Sequence, residues 1–99
     1  MRFGLKETVI ENIISVLIGC LSVEKAAIFG SRACGDYKHN SDIDLAVWTG
    51  VGVPPGLRSD LDEAAGIYKI DVVDMNGLKN ESLRNRIEKQ GIEIYKRGS

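Results

Sequence analysis

Cysteine, histidine and proline are scarce in this 99-residue sequence, which has two, one and two of them. Cys20 and Cys34 are too few for a secreted disulfide scaffold and lack the spacing of a zinc knuckle, so two reduced thiols in a cytoplasmic protein are expected. Neither charge dominates. Thirteen Lys and Arg against fourteen Asp and Glu leave a net charge of −1, without the basic field that drives non-specific nucleic-acid binding. A DNA or RNA template is therefore not expected. Long apolar runs are missing too: Ile13 to Leu21 is broken by Ser15 and Gly19, falls short of a bilayer's thickness and has no small-residue cleavage site. Neither a membrane span nor a secretory signal is expected. Repeats and low-complexity tracts are absent as well. What remains is 43% hydrophobic and 27% charged, an ordinary balance for a folded domain. The length suits one domain over 1–99, with Gly98-Ser99 read as an expression scar.

Periodicity supplies the elements. Val9, Ile10, Ile13, Ile14, Leu17, Ile18 and Leu21 recur at helical spacing between Glu7 and Leu21, so a helix is expected there, with Gly19 as its candidate end. Its apolar face is broader than a small sheet needs, which leaves a protein interface or a homo-oligomer open. Ala26 to Phe29 reads as a buried strand entering a turn at Gly30-Ser31, and 32–40 as an irregular connection with room for one helical turn. From Asp42 to Trp48 the residues alternate, with Asp42, Asp44 and Ala46 on one side and Ile43, Leu45 and Val47 on the other, the pattern of a strand. A Gly- and Pro-rich loop over 49–56 follows, then a helix over 57–66, a strand over 68–75, a helix over 80–90 ended by Gly91, and a short strand over 92–95. This order predicts an α/β domain with a small mixed sheet and helices packed mainly on one face.

The chemistry concentrates in the middle of the chain. On a strand, Asp42 and Asp44 point the same way about 7 Å apart. Both are carried on a segment that otherwise favours burial, and two unpaired buried carboxylates cost several kcal/mol each unless they share a cation. Mg²⁺ suits such a pair, because it takes one or two carboxylates and fills its shell with phosphate oxygens and water. Two ordinary surface aspartates would give the same short pattern. Gly30-Ser31 upstream shifts the balance: a turn between a strand and a helical turn presents backbone N–H groups to phosphate, and the Ser31 hydroxyl can bond a terminal phosphate. Anion and metal sites at adjacent strand ends are what phosphoryl transfer requires. A third carboxylate is expected from a neighbouring strand. Asp71, central in Ile70-Asp71-Val72-Val73, is favoured over Asp74, which lies on the opposite face where the strand gives way to Asn76-Gly77.

Gly30-Ser31-Arg32-Ala33-Cys34-Gly35-Asp36, followed by Ser41-Asp42-Ile43-Asp44-Leu45, resembles the minimal nucleotidyltransferase (MNT) family of the DNA polymerase beta-like superfamily. The family pattern is Gly-Ser, three residues, Gly, five residues, Ser-Asp-x-Asp-Leu, and it is matched without a gap. Even its reduced form, Gly-Ser and Asp-x-Asp ten residues apart, arises by chance in only about one chain in a thousand of this length. The resemblance implies a polymerase beta palm-like fold in which Gly30, Ser31 and Arg32 hold the phosphates of an NTP, usually ATP. It implies two Mg²⁺ ions on Asp42 and Asp44, with Asp71 as the third ligand, orienting or deprotonating the attacking hydroxyl. Cys34 stands where many members have arginine, which puts a phosphate contact there in doubt. Free-standing members are antitoxins that transfer AMP from ATP to a tyrosine of a helical HEPN-type toxin, so such a partner is implied.

Other residues point less sharply. His39 and Lys38 flank the expected site, and each reads first as a solvated loop residue. Trp48 reads as packing before base stacking. Two rivals stand beside adenylyl transfer to a protein. One is a binding module that neutralises a partner by contact; the other is nucleotidyl transfer to a small molecule such as an aminoglycoside, for which the chain leaves little room.

Overall fold

The computed structural model describes residues 3–38 and 40–98. The elements run α1 (Glu7–Gly19), β1 (Val23–Phe29), α2 (Ser31–Cys34), β2 (Ile43–Thr49), α3 (Leu57–Ala65), β3 (Ile70–Asp74), α4 (Glu81–Gln90) and β4 (Ile92–Lys96). The four strands form one mixed sheet in the order β3-β2-β1-β4. β1 is antiparallel to β2 and β4, while β2 and β3 are parallel and joined through α3, because parallel neighbours need a crossover.

The alternation along β2 decides its two faces. Ile43, Leu45 and Val47 are fully buried in the larger core, with Ile10, Ile13 and Leu17 of α1 and Leu57, Leu61 and Ala65 of α3. Each large aliphatic side chain there stabilises the fold by about 1.5–3 kcal/mol relative to exposure. Ala46 faces the other way, into a smaller cluster with Phe29, Met75 and Ile87, against which Trp48, Val73 and Leu83 pack. That second cluster is the footing of α4, so the helices lie mainly, not wholly, on one face. Asn80 caps α4, its side-chain oxygen accepting from Leu83 N at 3.1 Å, and Arg84 ties the helix back through Met75 O and Leu78 O.

Several boundaries shift by one or two residues from expectation, and the start of β1 shifts by three. β1 begins at Val23, three residues early, because Val23 and Lys25 pair with β2 across a register irregularity at Glu24 that hides the alternation. α1 stops at Gly19, and Cys20 turns extended, which leaves Ile18 58% and Leu21 78% exposed. Among the described residues, no helix is long and apolar enough to cross a membrane.

Candidate active site

β1 ends beside the start of β2, with Phe29 opposite Asp44. The next residue, Gly30, has φ +75° and ψ −152°, a conformation that side chains rarely adopt. A Cβ at Gly30 would also overlap Oδ2 of Asp44 and lie 3.2 Å from its Cγ. Glycine is thus required twice over: by the turn and by the close approach of the backbone to a carboxylate. Ser31–Cys34 then makes a single helical turn, closed by Cys34 N donating to Gly30 O at 3.1 Å and Asp36 N to Ser31 O at 3.0 Å. The N–H groups that open such a turn have no acceptor within it, so the strand end presents donors beside Asp44.

The carboxylates come from two strands. In the parallel ladder Asp44 sits opposite Asp71, and neighbouring strands are about 4.8 Å apart. Asp42 lies just before β2 and, by alternation, on the Asp44 side of the sheet. Asp42 and Asp71 are exposed, whereas Asp44 is half-buried. The Asp44 carboxyl is held above the ordinary carboxylate range by desolvation first, then by the negative charges of Asp71 and Asp42. Three acids repelling one another on one edge suit a hard cation. Among the described residues no three acid, imidazole or thiol groups close into a complete metal cluster. Mg²⁺ does not need one, since it completes its shell with phosphate oxygens and water, and the open aspartate set fits that coordination.

Asp74 is elsewhere. Its carboxylate accepts from Val53 N at 3.2 Å and Asn76 N at 2.9 Å, which ties the 49–56 loop to the far end of β3. Trp48 is about 13 Å along β2 from Asp44, half-buried, with the Lys25 ammonium 4.2 Å from its ring centroid. Lys38 is exposed, and its backbone N–H donates to Ser41 Oγ. His39 lies outside the described residues.

Arg32 requires a correction. A phosphate-contacting arginine should reach solvent, yet Arg32 is only 2% exposed. Its Nη1 donates to Phe3 O at 2.7 Å, and its Nε and Nη2 donate to Ser41 O at 3.1 and 2.7 Å. The guanidinium carbon lies 5.4 Å from the Tyr37 ring centroid and 5.0 Å from that of Tyr68. These contacts commit the group to the protein's own backbone, not to the triphosphate. Helical geometry carried the signal: Ser31 and Cys34 share a face of the turn, and Arg32 projects about 100° away from Ser31. Cys34 is exposed and its thiol donates to Gln90 Oε1 at 3.5 Å, so α4 reaches the phosphate turn through Gln90, a residue with no signal in the sequence.

Residues 11–99 match the family described as polymerase beta, nucleotidyltransferase. The chain belongs to that nucleotidyltransferase family. No curated protein matches it by sequence. Among solved structures, a chain of a toxin–antitoxin complex with AMP-PNP superposes with a TM-score of 0.74 at 25% identity, covering 90% of this chain and 74% of that one. A protein described as a minimal nucleotidyltransferase gives 0.68 at 28% identity, covering 93% and 95%. A chain from the tri-AMPylated Shewanella oneidensis HEPN toxin in complex with MNT antitoxin gives 0.69 at 21% identity, covering 93% and 73%, a likeness of fold alone. Membership of the nucleotidyltransferase family, and a fold shared with a minimal nucleotidyltransferase, are thereby established for this chain.

Proposed function

We propose that this nucleotidyltransferase transfers AMP from ATP to a hydroxyl of a partner protein, a tyrosine of a HEPN-type toxin, and so acts as an antitoxin. The supporting observation is the half-buried Asp44, with Asp71 opposite and Asp42 beside it, facing a glycine turn at the end of β1. Asp42 and Asp44, with Asp71 as third ligand, would hold divalent metal, two Mg²⁺ ions in this reading. Bound there, the metal supplies Lewis-acid stabilisation of the attacking and leaving oxygens. Gly30 lets phosphate approach the backbone, and the Ser31 hydroxyl donates to a terminal phosphate oxygen. Asp71, exposed at the edge, orients the acceptor hydroxyl and takes its proton. The hydroxyl oxygen bonds to the α-phosphorus as the bond to the bridging oxygen breaks, and pyrophosphate leaves with that electron pair.

A protein acceptor suits the shape of the surface. A cavity of about 350 Å³ lies between α1 and Pro54–Leu57, and another of about 340 Å³ lies beside Trp48, both away from the aspartates. The acids themselves sit on an exposed edge that a partner reaches from outside. The neighbour solved as a tri-AMPylated HEPN toxin with its MNT antitoxin supports this class of acceptor.

Intact mass spectrometry of the neighbouring-gene product tests the reading, after incubation with this chain, ATP and Mg²⁺. A gain of one or several AMP units, lost with Asp42→Ala, is expected. A stable complex with no mass change in either case would overturn transfer. It would favour a contact-only antitoxin, the second reading.

A further inference from the structure

We infer that Arg32 is the positioning residue of the metal site, locking the phosphate turn to both segments that bring the carboxylates; the inference rests on the nucleotidyl-transfer reading above. Arg32 follows Ser31 directly. Its fork takes the Ser41 carbonyl with two hydrogen bonds, at 3.1 and 2.7 Å, one residue before Asp42. On its other side it stacks over Tyr68, three residues before Asp71. The entries of β2 and β3 are further joined by Ile43 N donating to Lys69 O at 2.8 Å. The turn leading to Asp42 is itself fastened, with Lys38 N on Ser41 Oγ at 2.8 Å and Ser41 N on Lys38 O at 2.9 Å. A rigid guanidinium at their junction therefore sets where Asp42 stands relative to Gly30, Asp44 and Asp71.

The same group recruits the N-terminal segment. Nη1 holds Phe3 O at 2.7 Å, and the Tyr37 ring, stacked on the guanidinium, lies so close to Gly4 that a Cβ there would overlap it. Lysine keeps the charge but not the fork: one ammonium cannot span Phe3 O and Ser41 O with fixed geometry. Loss of the fork releases the Ser41 carbonyl, and Asp42 next to it, while Asp44 and Asp71 stay fixed by the ladder. Residues that orient metal ligands in this way typically change metal affinity 10–100-fold when replaced.

The test is Mn²⁺ binding followed by electron paramagnetic resonance, in the presence of an ATP analogue with a methylene bridge between the α- and β-phosphorus atoms. Arg32→Lys should weaken Mn²⁺ binding about tenfold or more. Tyr68→Leu, which keeps the buried fork and removes one stacking face, should weaken it about threefold. Leu61→Ala, a core truncation in α3, supplies a destabilised control that should keep the affinity of the unaltered chain. Binding within twofold of the unaltered chain in a folded Tyr68→Leu and Arg32→Lys would overturn the positioning role. So would equal weakening in Leu61→Ala, because Arg32 would then act through stability alone. No Mn²⁺ binding by the unaltered chain would overturn the nucleotidyl-transfer reading, and this inference with it.

Discussion

Replacing Gly30 by alanine should expose how closely the turn is fitted to Asp44. With φ +75° and ψ −152°, an alanine there carries backbone strain of about 1–3 kcal/mol. The new Cβ also overlaps Asp44 Oδ2, so the carboxylate must leave its rotamer at a cost of about 0.5–1.5 kcal/mol. Together the substitution should destabilise the fold by about 2–4 kcal/mol. At about 4–8 °C per kcal/mol for a domain of this size, the melting temperature should fall by roughly 10–30 °C. Urea denaturation at pH 7 in EDTA measures it, in the parent and in an Asp44→Ala background. With Asp44 cut to Cβ, the nearest remaining atom lies at 3.5 Å, an ordinary contact, and only the strain survives. The double-mutant cycle should therefore show a coupling of about 1 kcal/mol. Equal costs in the two backgrounds would refute the close approach. Costs below about 0.5 kcal/mol in both would refute the strained turn as well.

Four further outcomes are expected. Asp44→Asn should melt higher than the parent at pH 7 in EDTA. The raised carboxyl binds its proton more tightly folded than unfolded, so folding bears a charge cost above the raised value that vanishes below the ordinary carboxylate range. The difference should thus shrink as pH falls, and a lower melting temperature at pH 7 would contradict the desolvation and like-charge repulsion of that carboxyl. Asp71→Ala and Asp74→Ala should separate: the first loses AMP transfer with little change in stability, the second loses about 1–2 kcal/mol with transfer retained, and reversed phenotypes would exchange their roles. Added Mg²⁺ with an ATP analogue should raise the melting temperature of the parent and not of Asp42→Ala, by scanning calorimetry. Leu17→Ala should cost about 2–5 kcal/mol while Ile18→Lys stays within about 0.5 kcal/mol, in urea titrations that test which face of α1 is covered.

The element order was legible because each element carries its own period. Alternation around Ile43, Leu45 and Val47 needs no knowledge of neighbours, and helical recurrence through Ile10, Ile13 and Leu17 identifies the stripe that meets α3. Where the period is diluted, the boundary slipped: Glu24 and Lys25 sit in a central strand beside a register irregularity, and no local pattern marks them. The apolar stripe of α1 outruns its covered face for the opposite reason. Ile18 and Leu21 are apolar, but a stripe says only which residues share a face, not how much of that face another element covers.

The candidate site divides along the same line. Gly30 and the Asp42–Asp44 spacing are contiguous features, and alternation alone separates Asp71 from Asp74, so the sequence was enough to group the residues that the sheet brings to one edge. Arg32 was misread because an arginine after Gly-Ser has the right chemistry for phosphate, and chemistry was the only local clue weighed. What fixes its role is non-local: carbonyls at Phe3 and Ser41 and a ring at Tyr68 meet only once the N-terminal segment and the entries of β2 and β3 converge. A buried guanidinium is costly to desolvate, and it is kept here by partners from three separate stretches of chain. That convergence makes Arg32 informative about the aspartates, since whatever satisfies its fork also fixes the backbone from which Asp42 projects.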